Sequence, residues 1–260
     1  MGRMGSGTGF FFDYKFGDLV YPFIVTNKHV IDGAQKWKFT FIKKKNGKPE
    51  LGDIFEITIT SEQSPNAWFG HPDPDIDIAI IPRCQLINFE KEKYNTELFT
   101  IAIQTNNIPN AEQIEELDAI EEITFIGYPN GVWDTKNFLP VARRGTTASP
   151  IAVDFENKPR FLIDASVFGG SSGSPVFICN LGGTYAKKTG VTVSGLRFYF
   201  VGVVAGVFFR THLNEIIPVP IPTQVRPMAE QQEMIDLGIV FKARTVVETI
   251  EAFLHTQRHP

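Results

Sequence analysis

Cysteine is scarce: the 260-residue chain holds only Cys84 and Cys179. Secreted domains of this size commonly carry several disulfides, so the count points to a reducing compartment, with one bridge left open. Long apolar runs are missing too. No window approaches the ~20 continuous apolar residues needed to span a bilayer. The stretch Met1-Gly2-Arg3-Met4-Gly5-Ser6 lacks the basic-then-apolar pattern of a secretory signal. The expected location is therefore cytoplasmic, with no membrane partner. An excess of positive charge is also absent. A formal net charge of −4 provides no general basic field for nucleic acid. The one basic run, Lys43-Lys44-Lys45 with Lys48, surrounds Asn46-Gly47 and reads as a solvated hairpin tip. Asp73, Asp75 and Asp77 have the look of a calcium loop, but no Gly occupies its sixth position and no Glu its twelfth.

What is present suits a folded domain. Hydrophobic residues make up 43% and charged residues 21%, enough to bury a sizeable core. Short apolar, β-branched and aromatic runs recur between Gly, Pro, Asn and Asp. They include Tyr21–Thr26, Trp37–Ile42, Ile54–Thr60, Ile76–Ile81, Ile123–Gly127, Ser174–Ile178, Gly195–Phe209 and Gly238–Lys242. Several alternate with period two, as Phe55, Ile57 and Ile59 do against Glu56, Thr58 and Thr60. Many short strands with frequent turns argue for barrels or a sandwich rather than βα units. Thr245–His255 carries a helical apolar stripe, and Ala111–Ile120 is acidic and suits a helix or a turn-rich connection. Ile216–Glu233, rich in Pro and Gln, reads as a long surface loop.

Three segments carry candidate chemistry. In Phe168-Gly169-Gly170-Ser171-Ser172-Gly173-Ser174-Pro175-Val176, glycines let the backbone wrap tightly around Ser172 and aim N–H groups beside its hydroxyl. That is the arrangement acyl transfer needs, because its tetrahedral intermediate puts negative charge on the former carbonyl oxygen. In Phe23-Ile24-Val25-Thr26-Asn27-Lys28-His29-Val30, a histidine follows an apolar run. In Asp75-Ile76-Asp77-Ile78-Ala79-Ile80, Asp77 is expected inside an apolar strand, where a carboxylate requires a partner.

In the order His, Asp, Ser, the segments Thr26-Asn27-Lys28-His29-Val30, Asp77-Ile78-Ala79-Ile80 and Gly170-Ser171-Ser172-Gly173-Ser174-Pro175 resemble the trypsin-like serine peptidases. The likeness is greatest to the HtrA-like (Deg) branch. Gly5-Ser6-Gly7-Thr8-Gly9-Phe10, Phe125-Ile126-Gly127-Tyr128-Pro129 and Val201-Gly202-Val203-Val204 are similar to the same branch, and only Thr256–Pro260 follow the final helix, so no PDZ domain is expected. The resemblance implies an all-β, chymotrypsin-like fold of two six-stranded Greek-key barrels and a C-terminal helix. It places His29 and Asp77 in a first barrel over residues 1–90, a linker over 91–120, and Ser172 in a second barrel over 121–260. The first strand expected of the fold looks reduced, so another segment or a neighbouring chain would complete that barrel.

The function so implied is serine endopeptidase. His29, Asp77 and Ser172 would be catalytic, and Gly170-Ser171-Ser172 would form the oxyanion hole through the N–H groups of Gly170 and Ser172. Ser166 would lie at the base of the primary specificity pocket, with Ala205, Gly206 and Val207 along its wall. A serine at that base offers no countercharge to Arg or Lys, and Val207 narrows the entrance, so a small or medium apolar residue is the expected preference. Digestive relatives have an Asp before the nucleophile that pairs with a new N-terminus; Ser171 stands there, so a preformed or partner-induced site is expected. No metal or cofactor is needed. Partners are a protein or peptide substrate, with room for a regulatory partner or a homo-oligomer. The alternative is an inert or latent relative acting as a binding module. An α/β-hydrolase is excluded, since it would place Ser before its acid and His, on a strand-to-helix turn.

Overall fold

A computed structural model describes residues 5–62, 64, 66–83, 97–129, 133–212 and 231–258. The first half is built on β1 (Phe10–Phe16), β2 (Leu19–Thr26), β5 (Phe69–Gly70), β6 (Ala79–Pro82) and β7 (Ile103–Gln104). They form one sheet in the order β5-β6-β2-β1-β7. A long ribbon, β3 (Lys36–Lys45) with β4 (Lys48–Thr60), folds over it. Asn46 (φ 52°) and Gly47 (φ 78°) both adopt left-handed backbone between the paired Lys45 and Lys48, the type I′ turn that Asn-Gly favours. Ile24, Ile57 and Ile81 form the buried contact between ribbon and sheet, with Phe11, Phe39, Phe41 and Trp68 packed around them. Lys44 N–H donates to Glu97 O (2.8 Å) and Phe99 N–H to Ile42 O (2.8 Å), which carries the ribbon round toward β7 and the outer edge of β1.

The second half closes completely. Strands β8 (Glu122–Gly127), β9 (Val141–Thr147), β10 (Arg160–Asp164), β11 (Pro175–Ala186), β12 (Thr192–His212) and β13 (Gln231–Lys242) form a barrel in the order β10-β13-β12-β11-β8-β9. The run β11-β8-β9-β10 is a Greek key, three hairpin-linked strands with the fourth returning beside the first. A one-turn helix α1 (Lys28–Ile31) and a short α2 (Ala111–Glu115) interrupt the chain, and α3 (Arg244–Arg258) ends it. The architecture is mainly β, as the strand pattern implies, and matches the two-barrel fold with a terminal helix that the resemblance implies. The acidic stretch expected over Ala111–Ile120 is helical only as far as Glu115, and Asn110 and Gln113 form a capping box at its start. Strand β12 runs well beyond the expected Gly195–Phe209. The loop expected at Ile216–Glu233 and the residue Cys84 lie mostly or wholly outside the described residues; Cys179 is a free, half-buried thiol. No described helix is long and apolar enough to cross a membrane.

One core joins the halves. Phe12, Val25, Ile78 and Ile80 from the first sheet pack in the same cluster as Phe200, Val203 and Phe241 from the barrel and Val246 and Ile250 from α3. Phe253 of α3 meets Phe23 edge-on at 5.9 Å, and Tyr14 O–H donates to Glu251 Oε1 at 2.8 Å. The terminal helix therefore straps the first sheet to the second barrel. Within that barrel Arg197 and Glu121 form an ion pair whose side chains are each 6% exposed. Asn180 Oδ1 accepts from Arg197 Nε (2.8 Å), and Glu121 Oε1 also accepts from Asp118 N–H (3.0 Å). A buried pair is harmed most by losing one member. Arg197→Met is expected to lower unfolding stability by about 3–5 kcal/mol, whereas Arg197→Met with Glu121→Leu recovers most of that loss; urea denaturation of the two variants checks this.

Candidate active site

Strand β2 ends at Thr26 because the chain turns at once into α1. Asn27, at the N-cap, is fully buried and does not cap the helix. Its side-chain Nδ2 instead donates to Asp77 O at 2.6 Å. Asp77 was expected inside a strand, yet β6 begins only at Ala79, where pairing with Thr26 starts. The Asp77 carbonyl is taken by Asn27 from across the site, while the turn before it is closed by Ile76 N–H to Asp73 O (3.2 Å). Ile76 and Ile78 on either side are buried, which fixes the Asp77 side chain toward α1.

The carboxylate holds His29 twice. Asp77 Oδ1 accepts the His29 backbone N–H at 3.0 Å, and Oδ2 lies 2.5 Å from ring Nδ1. A carboxylate facing Nδ1 places the ring proton there, leaving Nε2 as the basic nitrogen. The His29 side chain is 49% exposed and that of Asp77 26%. Beside them Lys28 Nζ donates to Asp73 O. Burial draws its ammonium below the usual lysine range, against the pull of Asp77, Asp73, Asp32 and Asp75.

Ser172 sits half-buried on the loop between β10 and β11. Ser171 N–H donates to Phe168 O (3.0 Å), with Gly169 and Gly170 between them. Gly170 has φ 87° while Gly169 does not enter that region, the pattern of a type II turn that requires glycine at its third position. Ser171 N–H is thus occupied, and its hydroxyl is buried without a partner. Among the described residues the N–H groups of Gly170 and Ser172 have no acceptor. Neither Ser172 Oγ nor His29 Nε2 has a hydrogen-bond partner there either.

Thr8 ties the serine loop to the histidine strand. Its N–H donates to Ser172 O (2.8 Å) and its hydroxyl to Gly170 O (2.9 Å). The same hydroxyl accepts Tyr128 N–H (2.9 Å), and the Thr8 carbonyl accepts Thr26 Oγ1–H (2.8 Å). Space around it is so tight that a Cβ on Gly173 would overlap the Thr8 carbonyl oxygen, and one on Gly7 would lie 2.6 Å from Val30 Cγ1. This geometry gathers three segments far apart in sequence: the glycine-rich start, the end of β2 with His29 and Asp77, and the Ser172 loop.

The trypsin-like peptidase domain family matches residues 7–183, more than half of the chain. The chain belongs to that family. Membership in a trypsin-like peptidase family makes it a hydrolase of the peptidase kind, with proteins or peptides as substrates. No curated protein matches the chain. The matched span contains His29, Asp77 and Ser172, together with the Thr8 tie.

The remaining sites read from the sequence are placed as follows. Ser166 is exposed on the loop after β10. Ala205, Gly206 and Val207 lie on β12, where Gly206 and Val207 pair with Ile239 and Gly238 of β13. Pairing of β12 with β11 has already ended at Val203, so this stretch has an open edge on that side. Thr8, Asn27 and Arg143 (below) were not singled out from the sequence. For Thr8 the available signal was a β-branched residue flanked by glycines; for Asn27 it was a polar residue closing an apolar strand. Gly173→Ala combines a positive φ (86°) with overlap against backbone, whereas Gly195 faces open space. Thermal melts are expected to show strong destabilisation for Gly173→Ala, on the order of 3 kcal/mol or more, and little change for Gly195→Ala.

Proposed function

We propose that this trypsin-like peptidase is an active serine endopeptidase using His29, Asp77 and Ser172. The observation that carries the reading is the double hold of Asp77 on His29, which leaves Nε2 as a free base beside a serine loop tied to the same strand. Ser172 Oγ attacks the peptide carbonyl carbon while its proton passes to His29 Nε2. The carbonyl oxygen becomes an oxyanion, met by the N–H groups of Gly170 and Ser172. The C–N bond then breaks, and His29 returns the proton to the leaving amine. Water attacks the resulting ester on Ser172, giving its proton to Nε2, and Ser172 leaves with that proton. Asp77 keeps the ring tautomer and stabilises the imidazolium without itself taking the proton. Hydrogen bonds of this kind commonly tighten only when substrate arrives, which fits the unpartnered Ser172 Oγ and His29 Nε2.

The substrate backbone would add as a strand to the open edge at Ala205, Gly206 and Val207, with its side chain directed toward the Ser166 loop. Family likeness within Gly5–Phe10 and Phe125–Pro129 supports an HtrA-like branch, and the hydrogen bond from Tyr128 N–H to Thr8 Oγ1 links those two motifs. A fluorophosphonate probe is expected to label Ser172, with the adduct located by mass spectrometry and absent in Ser172→Ala. Well-folded protein that resists labelling would refute the active reading in favour of an inert or latent one. Asp77→Asn is expected to slow labelling by roughly 10³–10⁴-fold with the fold intact, measured by stopped-time labelling and circular dichroism.

A further inference from the structure

Arg143 of β9 stands directly opposite Phe125 of β8. Directly opposed residues of an antiparallel pair project to the same face, and Phe125 is buried in the second barrel. The Arg143 guanidinium is accordingly directed inward. Its Cζ lies 5.4 Å from the Phe125 ring centre and 4.7 Å from that of Phe168. Nη1 is buried and has no hydrogen-bond partner. Arg143 makes no ion pair among the described residues. Burial draws the guanidinium below its ordinary range, and Asp236 opposes that only through longer-range attraction.

This is an unusual state for an arginine. Its donors suit a planar carboxylate held by two parallel bonds, and a buried donor left unmade costs more than the same bond contributes when made. Arg197 in the same barrel shows the ordinary solution, with Glu121, Asn180 and the Tyr185 ring around it. Among the described residues Arg143 has two rings and no charged partner within ion-pair distance.

Its location indicates what could complete it. Phe168 stands four residues before Ser172, and its carbonyl closes the turn that carries Gly170. Ala165 N–H donates to Asp236 O (3.0 Å), and Gly238 pairs with both Ile163 and Val207. The segments at 165–168, 205–207 and 236–238 are therefore contiguous, and Arg143 underlies the first of them through Phe168. Phe168 is itself 49% exposed, so the ring that the guanidinium faces also meets solvent.

We propose that Arg143 is a specificity-determining residue that receives an acidic side chain, glutamate or aspartate, on the acyl side of the scissile bond. The inference rests on the reading of Ser172 as the nucleophile. It replaces the apolar preference expected from Ser166 and Val207 alone. Ser166, exposed on the loop that also carries Phe168, supplies a hydroxyl without an opposing charge, and a substrate lysine or arginine would meet like charge.

The test uses the full chain carrying Ser172→Ala and product-like peptides that differ only in a C-terminal Glu, Gln, Ala or Lys, titrated calorimetrically. The Glu peptide is expected to bind on the order of tenfold to hundredfold more tightly than the Gln peptide, as a charge-assisted bond would give. Adding Arg143→Met, which keeps bulk against Phe168, is expected to abolish the difference. Equal binding of Glu and Gln peptides by the parent, tighter binding of Ala or Lys peptides, or no binding at all would overturn the proposal. So would an undiminished preference for Glu in a folded Arg143→Met protein. Should that variant not fold, the Glu-to-Gln comparison on the parent still decides. Fluorophosphonate labelling of the unsubstituted protein separates the two readings. Labelling without acidic preference removes only the role of Arg143, and acidic preference without labelling removes only catalysis.

Discussion

Thr8 engages every polar atom it has, and together these bonds reach three separate parts of the chain. Its N–H and hydroxyl hold the carbonyls of Ser172 and Gly170, the hydroxyl also takes Tyr128 N–H, and its carbonyl takes the Thr26 hydroxyl. Thr8 is 3% exposed, so these bonds form where water cannot substitute for them. The glycines around it follow from the same crowding. Gly7 must leave room for Val30, Gly127 for the hydroxyls of Ser174 and Thr8, and Gly173 for the Thr8 carbonyl. This knot is what ties the serine loop directly to the strand that leads into the histidine turn.

Beneath the knot the apolar core does the coarser positioning. Residues of both halves and of α3 occupy one cluster, so the barrels cannot slide without opening buried surface. Hydrophobic contact is non-directional and sets the halves side by side. The hydrogen bonds of Thr8, Asn27 and Asp77 are directional and set the His29 turn and the Ser172 loop within that frame.

Charge is treated in three ways in this molecule. Arg197 and Glu121 are buried and mutually satisfied, which makes them a structural pair. Asp77 and His29 are paired but accessible to solvent. Arg143 is partly buried with Nη1 lacking a partner, and among the described residues it stacks on Phe125 and Phe168 without an ion pair. The contrast between the first and third is what singles Arg143 out, since both guanidiniums belong to the same barrel.

Much of this was legible from residue order. Period-two runs located most strands, Asn46-Gly47 specified its own turn through local backbone preference, and the stripe in Thr245–His255 marked α3. The candidate site was legible as three short segments because glycine spacing and a carboxylate between isoleucines are unusual without a reason. Asp77 shows the limit: its apolar neighbours suggested a strand, but a side chain fifty residues away took its carbonyl, and the strand began later. The length of β12 and the joined core are likewise decided by distant pairing partners. Thr8, Asn27 and Arg143 draw their roles from bonds made, or left unmade, across long stretches of chain, and no local pattern records these. Local sequence determined which segments extend, turn or coil and which residues could do chemistry. Tertiary structure alone decided which of them meet, because hydrogen bonds and burial depend on position in space and not on neighbours along the chain.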